Sequence, residues 1–232
     1  MDYSRPIMPW DRDAPRRIAH TKSGVTVACR LGDVLRPNVV VVAGTEHTHS
    51  GGRMLLTRLA LELVEVLPGN TTIVTDRLAR IMDRAEARAA EGLGRAVLVV
   101  DETRQQTAHS LMVERLTPDR YLMVTTHGRL MPDVEAWKIG RMTLFSELRT
   151  AMARPGVLQV LEPAVDDPRI WRGTQIRAAL ASAQAKPPAE EPDAYVTEGT
   201  AQDDVCLAVA AVAHMGEAGS PDPWVQLPEY RV

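Results

Sequence analysis

Carboxylates placed at the ends of apolar runs are the residues of this chain with the clearest chemistry. Val97-Leu98-Val99-Val100-Asp101-Glu102-Thr103 reads as a buried strand that ends in acids. Gly199-Thr200-Ala201-Gln202-Asp203-Asp204-Val205-Cys206-Leu207 reads as an apolar helix that opens on acids. Ligands of open α/β sheets gather beyond the carboxyl ends of the strands, so Asp101 stands where a site would form. Glu102 points to the other side, because side chains alternate along a strand. Asp203 and Asp204 are more than a helix cap needs, and a carboxylate at the edge of a core requires a cation or donors. Oxygen-only ligands favour magnesium, and two such ions about 4 Å apart can activate water and stabilise a leaving oxygen in phosphodiester cleavage. The competing reading of each acidic pair is structural: a strand-end Asp, or acids in the first turn of a helix, cap it and offset its dipole.

Other candidates are weaker. Glu46-His47-Thr48-His49 has a His-x-His spacing but no third histidine nearby in sequence, short of the usual zinc set. His109, His127 and His214 have no recognisable partner in the sequence. Arg104, Arg129, Lys138, Arg141, Arg149 and Arg154 surround the central segment. They form either a solvated face or, if they share one side, a rim that contacts phosphates.

The elements that must position these groups alternate strand with helix. Val25–Cys29 and Val39–Val42 are strand-like, with a turn containing Gly32 and Pro37 between them. Residues 44 to 52 read as a long hairpin loop. Residues 53 to 67 fit either a strand or a helix, since Leu56, Leu59, Leu63 and Val66 suit a helical face while Leu59, Leu61 and Leu63 alternate. A helix is expected over 75–90, capped by Thr75 or Asp76, then a strand over 95–100, a helix over 107–116 and a strand over 120–125. A mobile loop at 129–139, a helix at 142–154, a strand at 157–161, a helix opened by Asp166-Asp167-Pro168, an exposed linker at 182–193 and a final helix at 203–215 follow. The strand–helix–strand order places the chain in the α/β class. The expected organisation is an N-terminal arm at 1–23, one domain at 24–215 and an irregular tail at 216–232.

Composition bounds the function. The chain has 232 residues, 45% apolar and 25% charged, with a formal net charge of −3. That charge excludes a strongly basic body, so nucleic-acid affinity would have to be local, weak alone and aided by a partner that delivers DNA. Aromatic residues are 4% of the chain, so the core must be aliphatic. Cys29 and Cys206 both lie in apolar runs and read as buried free thiols. No apolar run reaches the ~20 residues of a membrane helix and the first residues lack a signal-peptide core, so a cytoplasmic protein is expected.

From about residue 70 to 215 the chain resembles the nuclease domain of the large terminase subunit of tailed phages. Leu98-Val99-Val100-Asp101-Glu102-Thr103 is similar to that family's strand ending in Asp. Tyr121–Gly128, then Trp137-Lys138-Ile139-Gly140-Arg141, then Arg154–Val160 resemble its next strand, basic turn and short strand. Glu198–Ala208 matches its final helix best, with Asp203-Asp204 in place. The resemblance implies an RNase H-like fold, a mixed sheet flanked by helices. It also implies a two-metal DNA endonuclease, using Mg²⁺ or Mn²⁺, that cuts phage DNA during genome packaging in the host cytoplasm. Asp101 and Asp204 would be metal ligands, with Asp203 or Asp33 completing the set. Arg104, Arg129, Lys138 and Arg141 would contact double-stranded DNA.

The departures are specific. The family's first strand carries an Asp; the local match Cys29-Arg30-Leu31-Gly32 puts Arg30 there. Asp33 is an odd number of residues away, and an odd offset changes the face of a strand. Asp11 and Asp13 are more distant candidates. A guanidinium beside Asp101 would pair with it and compete with a metal. No Gly-x-x-x-x-Gly-Lys-Ser/Thr motif occurs, so an ATPase motor would be a separate packaging protein. Three readings stand: an active terminase-type endonuclease, a catalytically degenerate RNase H-like domain that binds DNA or protein, and an unrelated α/β protein whose acids are caps. What fills the gap between Asp101 and Asp204 decides between the first two.

Overall fold

The computed structural model describes residues 21–33, 35–50, 53–91, 96–101, 116, 121–125, 137–138, 141–185 and 201–217. The expected helix at 107–116 and most of the loop at 129–139 lie outside them, as do residues 1–20, 186–200 and 218–232. Seven strands form one sheet: β1 (Thr21–Arg30), β2 (Asn38–Ser50), β3 (Arg53–Leu67), β4 (Ala96–Asp101), β5 (Tyr121–Thr125), β6 (Trp137–Lys138) and β7 (Leu158–Val160). Their order is β6-β5-β4-β1-β2-β3-β7. β1, β2 and β3 are antiparallel neighbours, while β4 runs parallel to β1, β5 to β4, β6 to β5 and β7 to β3. Three antiparallel strands followed across the sheet by parallel ones make a mixed sheet flanked by helices, and the α/β class expected from the sequence is the class observed.

Side-chain alternation divides the core into two layers. On one face, Val25, Val27, Cys29, Val40, Leu98 and Val100 meet helix α1 (Thr71–Glu91) through Val74, Leu78, Ile81, Met82 and Ala85. On the other, Ala28, Val39, Val41, Ala43 and Val99 meet α4 (Ala201–Glu217). Helices α2 (Arg141–Ala153) and α3 (Gly173–Ala185) pack on the outside of α4. Enclosed between sheet and helices, α4 is buried at every position from Asp204 to Met215, which is why its sequence is apolar on all sides. Cys29 and Cys206 are both buried and reduced, as expected.

Several local expectations are corrected. Residues 44–50 belong to β2 rather than to a loop, because β3 pairs with them up to Ser50↔Arg53. Gly44 sits in this ladder at a close approach: a Cβ there would stand 2.7 Å from Glu62 Oε1 and 2.9 Å from Arg88 Nη2. The ambiguous 53–67 segment is a strand. Its register shifts between Val42/Ala43 and between Glu46/His47, leaving Glu62 and Thr57 as extra residues of β3. Each bulge stretches the two-residue period to three, so Leu56, Leu59, Leu61 and Val64 all reach the same core layer. That spacing is what imitated a helix.

Helix α1 starts at Thr71, a turn earlier than expected, with the Asn70 side chain accepting the Ile73 amide at 3.2 Å. Thr75, a proposed cap, is buried inside the helix. Asp166-Asp167-Pro168 does not open a helix; α3 begins at Gly173. The segment before it adds to the β3 edge instead, with Val66 N donating to Arg169 O at 2.8 Å and Trp171 N to Val64 O at 2.8 Å. Helix α3 runs to Ala185, into the stretch expected as linker, and α4 runs from 201 to 217 rather than 203 to 215. Among the described residues no helix is long and apolar enough to cross a membrane.

Candidate functional site

Parallel pairing of β1 with β4 sets Arg30 beside Asp101, the last residues of adjacent central strands. The Leu31 amide extends the ladder by donating to the Asp101 carbonyl at 3.0 Å. Arg30 is two residues beyond Ala28, and Asp101 two beyond Val99, both in the layer facing α4. Alternation therefore aims both side chains at the N-terminus of α4. Asp204 meets them there, in the first turn of that helix.

The three side chains form one buried cluster. Arg30 Nε donates to Asp204 Oδ1 at 2.8 Å, and Arg30 Nη1 donates to Asp101 Oδ2. Side-chain exposure is 5% for Arg30, 9% for Asp101 and 1% for Asp204. Burial is the largest single influence on Arg30 and acts against its charge. The fields of Asp101 and Asp204, with their hydrogen bonds, outweigh it and raise the Arg30 pKa above its ordinary value. The guanidinium is thus a fixed cation between two carboxylates. The positive end of α4 adds partial compensation for the remaining negative charge.

The other sequence candidates are placed differently. Asp203 is half-buried, one residue before Asp204 in the same turn. Asp33 lies on the turn after β1, where Oδ1 accepts the Leu35 amide at 2.8 Å and the backbone bridges to Arg36. It is not part of the Arg30 cluster. Glu102, Arg104 and Arg129 lie outside the described residues, and so do the side chains of Lys138 in β6 and Arg141 at the start of α2. His47 and His49 are on β2, and Glu46 nearby bonds Arg58 at 2.7 Å. His214, without a partner in the sequence reading, pairs through Nδ1 with Glu147 of α2. The sequence set Arg30 at the position of the resembled family's first acid, and the structure joins it to both carboxylates; the bond to Asp101 follows from the β1–β4 register and the bond to Asp204 from where α4 docks.

Two carboxylates already held by a guanidinium are a poor donor set for a divalent ion. Among the described residues no group of three or more His, Cys, Asp or Glu side chains could hold a metal. The Mg²⁺ or Mn²⁺ implied by the resemblance does not fit these residues while Arg30 lies between the acids. What the arrangement does offer is a rigid junction of β1, β4 and α4.

Among the solved structures similar to this chain are two of one viral domain. The human cytomegalovirus terminase nuclease domain is 13% identical with a TM-score of 0.45, over 91% of this chain and 89% of that one. The same viral domain, Mn-soaked and inhibitor-bound, is 13% identical with a TM-score of 0.49, over 94% and 91%. No protein-family model and no curated protein sequence matches the chain.

Proposed function

We propose that this chain is a terminase-type RNase H-like domain that has exchanged catalysis for binding, a DNA- or protein-binding component of a phage genome-packaging apparatus. The observation that carries this reading is the Arg30 guanidinium bonded to both Asp101 and Asp204. A buried cation with a raised pKa stays charged at every physiological pH, so the two acids remain occupied. Double-stranded DNA and a separate packaging ATPase are the partners that fit this role, in the cytoplasm of a host cell. Arg104, Arg129, Lys138 and Arg141 are the proposed DNA contacts.

A second reading has one observation in its favour. Asp101 and Asp204 come from the strand end and the helix start that an endonuclease of this type would use, and they converge within reach of one guanidinium. Under that reading Arg30 would leave the cluster when Mg²⁺ or Mn²⁺ and DNA arrive, with Asp203 or Asp33 joining the ligands. Supercoiled plasmid incubated with the purified chain and Mn²⁺ or Mg²⁺ separates the two. The binding reading expects no nicking above buffer and none created or lost in Asp101→Ala or Asp204→Ala. Cutting by the wild type that both substitutions abolish would establish the endonuclease instead.

A further inference from the structure

We infer that Arg30 does in this domain the structural work of a bound cation: it neutralises Asp101 and Asp204 and fastens the start of α4 to β1 and β4. We further infer that an acid in its place would create a divalent-cation site. The inference deepens the binding reading above and concerns what holds the junction, not whether DNA is cut.

Three features carry it. The cluster joins elements far apart in sequence: the contacts span 71 residues to Asp101 and 174 to Asp204. Helix α4 is the central element of its core layer, in contact with β1, β2, β3 and β4 of the sheet and with α2 and α3. Its apolar surface does not fix its position along its own axis as sharply as directional bonds do, whereas a guanidinium fork fixes both distance and angle. Finally, the charges are buried. Two carboxylates facing each other without a cation repel, and neither has ready access to water. Position 30 is also the register partner of position 101, so an Asp there would set a third carboxylate beside the other two. Three converging carboxylate side chains are the oxygen donors a hard divalent cation takes.

Thermal unfolding of the full chain tests both parts, read in EDTA and in Mn²⁺. The wild type should melt at the same temperature in both. Arg30→Met should lower the midpoint by roughly 10 °C, the scale of breaking a buried ion cluster in a domain of this size. Arg30→Lys should lower it by less, since the charge remains while the fork is lost. Arg30→Met combined with Asp101→Leu and Asp204→Leu should regain most of the loss, because no buried charge is then uncompensated. Arg30→Asp should be the least stable in EDTA and should gain stability with rising Mn²⁺ concentration, as binding to the folded state alone requires.

An Arg30→Met chain as stable as the wild type, or a triple variant no better than Arg30→Met, would overturn the first part. An Arg30→Asp chain that shows no Mn²⁺-dependent stabilisation, folded or not, would overturn the second. A wild type that shifts with Mn²⁺ as Arg30→Asp is expected to shift would overturn both. Plasmid cleavage, measured separately, addresses only the binding reading, so the two can fail independently.

Discussion

At the scale of single residues, polar side chains with two defined partners hold the turns around the site. Asn38 is fully buried; it accepts the Gly32 amide at 2.9 Å and donates to the Pro68 carbonyl at 2.5 Å. It thereby ties the turn after β1, just past Arg30, to the turn that leads into α1. Asn38→Ala would strand one buried donor and one acceptor, and a loss of about 2–3 kcal/mol in urea denaturation is expected. Asp167 works through charge. The Arg169 side chain and then its backbone amide hydrogen-bond to it, and they lower its pKa from 3.8 to about 2 against a smaller opposing desolvation. A carboxylate with a depressed folded pKa stabilises the folded segment above its unfolded pKa, and that help is lost as pH falls through the folded value. The segment before α3 should therefore loosen between about pH 4 and pH 2. Amide exchange at Arg169 across that range measures it, and Asp167→Asn should remove the pH dependence.

At the scale of elements, bulges and helix ends decide what the site can reach. The two bulges in β3 keep four aliphatic residues in the α4 layer despite their uneven spacing, so β3 can support β7 on its far side. Helix α2 stops through Pro155 and Gly156, with Gly156 at φ +79°. Nothing lies within 4 Å of a Cβ built there, so the cost of a side chain is purely that of the backbone conformation. Gly156→Ala should destabilise by about 1 kcal/mol, and Gly156→Asn by less, since Asn tolerates the left-handed region. Chemical denaturation of both variants compares them directly. The far end of α4 is tied to α2 by His214 and Glu147, while its start is tied to the sheet by Arg30.

At the scale of the whole molecule, charge sets what the domain can do alone. With 27 Lys and Arg against 30 Asp and Glu, the net charge is −3. A binding role therefore rests on a local basic surface, and the isolated chain should bind a random duplex no more tightly than about 10⁻⁶ M at physiological salt. Affinity should fall steeply between 50 and 200 mM salt, the signature of phosphate contacts. Fluorescence anisotropy on a labelled duplex tests this. Salt-independent binding, or nanomolar affinity without a partner, would contradict it.

The sequence by itself determined the α/β class, because an aliphatic strand followed by acids and a uniformly apolar helix can be satisfied only in a covered sheet. It also singled out Asp101, Asp204 and the anomaly at Arg30, since each stands at the end of a run whose local pattern is strong. It left β3 ambiguous, because a bulge changes the period without leaving a mark of its own. It misplaced the ends of α1 and α3, because Thr75 and Asp167 are capping residue types that do not cap here: Asn70 accepts the Ile73 amide at the start of α1, and Asp167 bonds Arg169 two residues on. Only the tertiary structure decided what the acids bond to. Whether Arg30 met one carboxylate, two or neither depended on a parallel register between β1 and β4 and on the docking of a helix more than 170 residues away. Those are long-range choices that no local spacing encodes, and they turned an apparent cation site into one that already contains its cation.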